Sequence, residues 1–104
     1  MAMACGPKAL ILCVDDYQPI LHGWRTLLTS AGYQVLVASD WKSGLRLFHS
    51  HTADVVVLDY EIPCVTCAAM AGAMKWLRPE VPILVLQTRV LRTGWMPPSL
   101  MLMS

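Results

Sequence analysis

Four short apolar runs recur along this 104-residue chain, and they constrain its fold more than any other feature. They are residues 9–14 (Ala-Leu-Ile-Leu-Cys-Val), 34–38 (Gln-Val-Leu-Val-Ala), 54–58 (Asp-Val-Val-Val-Leu) and 83–86 (Ile-Leu-Val-Leu). Each has strand length, and none alternates strictly between apolar and polar residues. Continuous apolar runs of this kind mark strands covered on both faces, as in a parallel sheet. The stretches between them carry a helical period instead. Ile20, Leu21, Trp24, Leu27 and Leu28 recur at i, i+3 and i+4, which predicts a helix over 17–29 with Gly32 as its stop. Ser39 or Asp40 can cap a second helix, with Leu45, Leu47 and Phe48 on its buried side. Pro63 marks a loop, Thr66 can cap a third helix reaching about Leu77, and Pro79 and Pro82 bracket the next turn. Met70 and Met74 read as core filler, and Trp24, Trp41 and Trp76 as packing residues. His22, His49 and His51, with Lys42 and Arg46, fall on solvated helix faces. The order βαβαβαβ argues for an α/β protein with a parallel sheet and right-handed crossovers.

Composition narrows the function. Hydrophobic residues make up 56% and charged residues 14%, against about 25% charged in an ordinary domain. That excludes a disordered polyelectrolyte tail. A net charge of +1 supplies no field to recruit nucleic acid. Mean hydropathy is high at +0.50, yet no uncharged run, 62–74 included, reaches the roughly 18 residues of a membrane span. The apolar run at 9–14 is too short for a signal-peptide core. The expectation is a cytoplasmic chain, with no nucleic-acid or membrane partner, whose Cys5, Cys13, Cys64 and Cys67 are free thiols.

In a parallel α/β sheet the chemistry gathers at the carboxyl ends of the strands. There the sequence places Asp15 and Asp16 after the first strand, Asp59 after the third, and Gln87-Thr88 after the fourth. Three carboxylates at one edge repel one another unless a counter-charge is present. A hard divalent cation with oxygen ligands is the natural neutraliser, and Mg²⁺ suits one or two carboxylates with phosphate and water. A carboxylate can itself attack phosphorus to give an aspartyl phosphate. The competing reading has Asp15 capping the first helix and Asp59 merely ending a strand. A pair after strand one together with an acid after strand three favours the site.

These residues carry a family resemblance. Val14-Asp15-Asp16, then Val56-Val57-Leu58-Asp59-Tyr60-Glu61-Ile62-Pro63, then Val81-Pro82-Ile83-Leu84-Val85-Leu86 resemble the receiver domain of two-component response regulators over residues 8–88, and Gly32-Tyr33 with Val35 fits too. The resemblance implies a flavodoxin-like, three-layer α/β/α fold with strand order 2-1-3-4. It implies that Asp59 accepts the phosphoryl group and shares in holding the metal, that Asp16 holds Mg²⁺ directly, and that Asp15 acts mainly through water. It further implies that Glu61 offers a backbone carbonyl to the metal. The donor would be a phosphohistidine on a sensor histidine kinase or phosphotransfer protein, and the domain would catalyse its own phosphorylation and dephosphorylation.

Two departures stand out. The family ends its fourth strand with Ser or Thr. Direct alignment puts Gln87 there and Thr88 one later, and a one-residue slip points a strand side chain to the opposite face. The family also has a fifth strand carrying a Lys, and a fifth helix. Residues 89–104 match neither, so the resemblance reads as a C-terminally truncated receiver whose last strand and helix are missing, with an atypical tail. A bare fourth strand would be a pairing edge and a route to a homo-oligomer. The alternative function is a switch-dead fragment that only binds other proteins. A third reading takes Cys64-Val65-Thr66-Cys67 as a thiol redox motif at a helix start.

Overall fold

The computed structural model describes residues 8–62 and 65–87, together with the backbone of 102–103. The elements run β1 (Leu10–Val14), α1 (Gln18–Ser30), β2 (Gln34–Ala38), α2 (Trp41–Ser50), β3 (Val55–Asp59), α3 (Cys67–Leu77), β4 (Ile83–Leu86) and β5 (Leu102–Met103). The sheet order is β2-β1-β3-β4-β5, and the first four strands are parallel. The expected 2-1-3-4 sheet is therefore present, with element ends within one residue of the sequence reading. Among the described residues there is no fifth parallel strand and no fourth helix. The short β5 instead runs antiparallel to β4, pairing Met103 with Val85 and Leu102 with Leu86. The edge of β4 is thus not wholly bare, as the sequence suggested. Unpaired strand N–H and C=O groups accept any extended segment brought alongside.

The sheet is covered unequally. On one face α2 and α3 enclose a core of Leu12, Val14, Val56, Leu58, Phe48, Met70, Met74, Ile83 and Val85. On the other, α1 packs Leu21 against Ile11 and Cys13, with Trp24, Leu28, Val35, Val37 and Val57 around them. Two-sided coverage explains why β1 reads as an unbroken apolar run. At Gly44 in α2 an added Cβ would lie 2.7 Å from Met70 Cε and 3.0 Å from Val14 Cγ2, so α2 lies tight against β1 and α3.

The helix ends follow local chemistry. Pro19 sits in the first turn of α1, where its missing N–H costs nothing. Gly32 just beyond that helix has φ +98°, a conformation cheap only for glycine. Asp40 is the cap of α2, accepting the Ser43 N–H at 2.7 Å, and that bond holds its carboxyl below the usual range. Thr66 caps α3 through the Ala69 N–H at 3.0 Å. The far ends of α2 and α3 are tied by Arg78, which donates to the carbonyls of Phe48 and His49 and stacks on the Phe48 ring. A cation on the last carbonyls of a helix also suits its dipole. Among the described residues no helix is long and apolar enough to cross a membrane.

Two side-chain expectations are corrected. Trp76 is 83% exposed and Leu27 65% exposed. Trp76 follows Met74 by two positions, about 200° around a helix of 3.6 residues per turn, so burying Met74 turns Trp76 outward. Trp24 and Trp41 are half-buried, and His22, His49 and His51 are exposed, as expected. Met70 and Met74 are buried at 1% and 0% exposure. Met74→Ala is accordingly expected to cost about 2–5 kcal/mol of unfolding free energy. Trp76→Ala on the same helix should change it by no more than about 0.5 kcal/mol. Urea denaturation of the two variants checks the contrast.

Candidate phosphoryl and metal site

Strand pairing assembles the acids. β1 and β3 are neighbours, with Val14 in register with Leu58, so Asp15 and Asp59 stand side by side at the carboxyl edge. The Asp15 N–H still bonds the Ala38 carbonyl at 3.1 Å, which holds the residue to the end of the β1–β2 ladder. Asp16 follows one residue on. The carboxylates of Asp15, Asp16 and Asp59 each offer an oxygen, all within 4.8 Å of one another. Asp15 and Asp59 are 3% exposed, whereas Asp16 faces solvent. Burying two carboxylates beside a third is costly unless hydrogen bonds or a cation offset the charge.

Asp15 does not cap α1. The N-cap is Tyr17, which makes no side-chain capping bond. The Asp15 carboxylate instead accepts the Tyr17 N–H at 3.0 Å, a two-residue return that fixes its rotamer at the mouth of the site. Sequence reasoning missed this backbone donor, although Asp followed by a bend two residues later is a known local habit of the side chain.

The other expected residues sit around this cluster. Glu61 lies in the turn directly after β3 and is exposed. Gln87 is the first residue past β4, half-buried, one position beyond Leu86, which pairs with Asp59. Thr88, Pro63 and Cys64 lie outside the described residues. Cys67, the other half of the C-x-x-C, opens α3 as a free, half-buried thiol packed against the main core. A separate concavity of about 750 Å³ lies among Leu10, Asp54, Arg78 and Glu80, at the opposite end of the strands from the acids.

The donor set suits a hard divalent cation. Its three donors are all carboxylate oxygens gathered within 4.8 Å of one another, the ligand chemistry such a cation takes.

A doubly wound parallel sheet with a carboxylate trio at its carboxyl edge defines an α/β domain with an acidic site where such sheets place their ligands. Residues 11–90 match the response regulator receiver domain, and the chain belongs to that family. The transcriptional regulatory protein KdpE of Mycobacterium tuberculosis is 38% identical over 81 residues, covering 77% of this chain and 35% of that protein. The chain thus spans about a third of the length of these curated relatives. Among solved structures it resembles the response regulator TrrA of Thermotoga maritima in complex with Mg²⁺–BeF. That match has a TM-score of 0.73 and 27% identity, covering 83% of this chain and 75% of that one. TrrA in complex with the histidine kinase ThkA matches with a TM-score of 0.70 and 29% identity, covering 75% of this chain and 67% of that one.

The buried acid has a measurable neighbour. Cys13, two residues before Asp15, is 1% exposed, and its thiol is pushed up to about 11, first by burial and then by the Asp15 charge. The folded protein therefore favours the neutral thiol. The stability this contributes is present below the ordinary pKa of 9.0 and is lost as pH rises toward about 11. Cys13→Ala should remove that alkaline component from a denaturation series. It should also leave the native thiol count with Ellman's reagent at pH 8 unchanged while lowering the denatured count by one.

Proposed function

We propose that this chain is a cytoplasmic receiver that accepts a phosphoryl group on Asp59 from a phosphohistidine of a histidine kinase or phosphotransfer protein. Residues 8–88 form the signalling unit, and 89–104 an appended tail. The observation that carries the reading is the carboxylate trio, two of its members buried, at the edge where strand pairing brings Asp59 beside Asp15.

The residues divide the work. Asp59 ends a paired strand, so its backbone is fixed at the edge, and its carboxylate supplies the attacking oxygen. A bond forms from that oxygen to phosphorus as the histidine nitrogen–phosphorus bond breaks; the electron pair stays on that nitrogen, and the donor ring, protonated on its other nitrogen, leaves as neutral imidazole. Asp15 and Asp16, with the Glu61 carbonyl, would hold Mg²⁺, and the Asp15–Tyr17 turn keeps one of these ligands oriented. The cation would supply charge neutralisation between the acids and the incoming phosphoryl oxygens. The TrrA complexes, one with Mg²⁺–BeF and one with a histidine kinase, support both halves of the reading.

The test is Mg²⁺-dependent phosphorylation by acetyl phosphate, read as intact mass. Wild type should gain one phosphoryl adduct, Asp59→Asn none, and EDTA should abolish it. Without phosphodonor, Mg²⁺ at about ten times its Kd should stabilise the fold by about 1.4 kcal/mol, and Asp16→Ala should remove most of that gain. A folded chain that takes up no phosphoryl group would instead support the pure binding fragment.

A further inference from the structure

An aspartyl phosphate ends by hydrolysis, and hydrolysis needs a water held in line with the bond that breaks. The edge of the sheet offers a residue suited to hold it. β3 and β4 stay paired to their ends, with Asp59 in register with Leu86 and the Tyr60 N–H donating to the Leu86 carbonyl at 2.8 Å. Gln87 is the next residue and is half-buried. Neighbouring strands lie about 4.8 Å apart, and Gln87 stands past the last paired residue of β4, where strand alternation no longer sets its direction, so its long side chain can span to a group carried by Asp59. Its carboxamide has two donors and an acceptor at the end of a three-carbon reach. The amide N–H can donate to a phosphoryl oxygen while the amide oxygen accepts a hydrogen bond from the attacking water. Glutamine has this water-orienting use in other phosphoryl-transfer sites. The Ser or Thr that the family resemblance calls for here has a single hydroxyl on a much shorter side chain. Asp59 is 3% exposed, so the water that attacks its phosphoryl group enters from the open side of the cluster rather than from bulk on all sides.

We propose that Gln87 positions the water that hydrolyses the phosphoryl group on Asp59 and so sets the lifetime of the signal. This rests on Asp59 being the acceptor. In the step, the water oxygen bonds to phosphorus and the phosphorus–oxygen bond to Asp59 breaks. The electron pair stays on the carboxylate. Inorganic phosphate leaves, and one proton passes to solvent.

The experiment is a decay series. Wild type, Gln87→Ala, Gln87→Thr and Gln87→Asn are phosphorylated with acetyl phosphate and Mg²⁺, the donor is removed, and the adduct is followed by intact mass. Circular dichroism checks the fold of each. Gln87→Ala and Gln87→Thr should hold the phosphoryl group about fivefold longer, which is ~1 kcal/mol in the barrier. Gln87→Asn, which keeps the carboxamide on a shorter arm, should fall between them and wild type. A purely structural role would not rank the variants by side-chain chemistry. Equal or faster decay in the Ala and Thr variants would overturn the proposal while leaving Asp59 as the acceptor. No adduct on any folded chain would overturn the acceptor reading, and this one with it.

Discussion

The parallel pairing of β1 with β3 is the interaction on which the rest depends. Val14 in register with Leu58 is what makes Asp15 and Asp59 neighbours. Two carboxylates at 3% exposure do not choose each other's company. They are held together because the strands beneath them are, and the strands are held by the most buried part of the molecule. Leu12, Val56 and Leu58 have no exposed surface. Apolar burial worth roughly 1.5–3 kcal/mol per such side chain offsets the cost of crowding charge at the edge.

The helices set how firmly that edge is held. Thr66 starts α3 soon after Asp59, and Asp40 starts α2 soon after the end of β2. Both caps therefore lie at the same end of the molecule as the acids. At the other end Arg78 fastens the last carbonyls of α2 to the C-cap of α3. The α2–α3 layer is thus pinned at both ends. The opposite face has α1 alone among the described helices, and there Val57, Leu84 and Leu86 are only half-buried.

Much of this was legible in the sequence. Strand positions followed from unbroken apolar runs, Thr66 and Asp40 from their capping chemistry, and the acid trio from where the strands end. Most of the unread parts depend on partners distant in sequence or on choices between faces, and one on a local turn. Trp76 looked like core because it is large and apolar, but Met70 and Met74 on small-residue α3 had already fixed which side faces inward. Asp15 joins the acid cluster rather than capping the helix, as the acid pattern favoured, but its local turn went unread: the extended Tyr17 takes the cap position and Asp15 accepts its N–H. The pairing of Leu102 and Met103 with β4 went unread because the short apolar run at 100–103 has none of the β-branched residues that mark the other strands.

The order β2-β1-β3 also has a consequence for how the molecule comes into being. β1 is the first strand made but not a sheet edge: it lies between β2 and the later β3. A nascent chain that has completed β1, α1 and β2 already carries Asp15 and Asp16, yet one long side of β1 is still open. Only when β3 inserts there, closing a loop of some forty residues, does the third acid arrive. The loop-closure entropy is then met by burial of the central strands. Assembly of the acid trio is therefore a late, non-local event, and no proteolytic fragment ending before β3 can carry it.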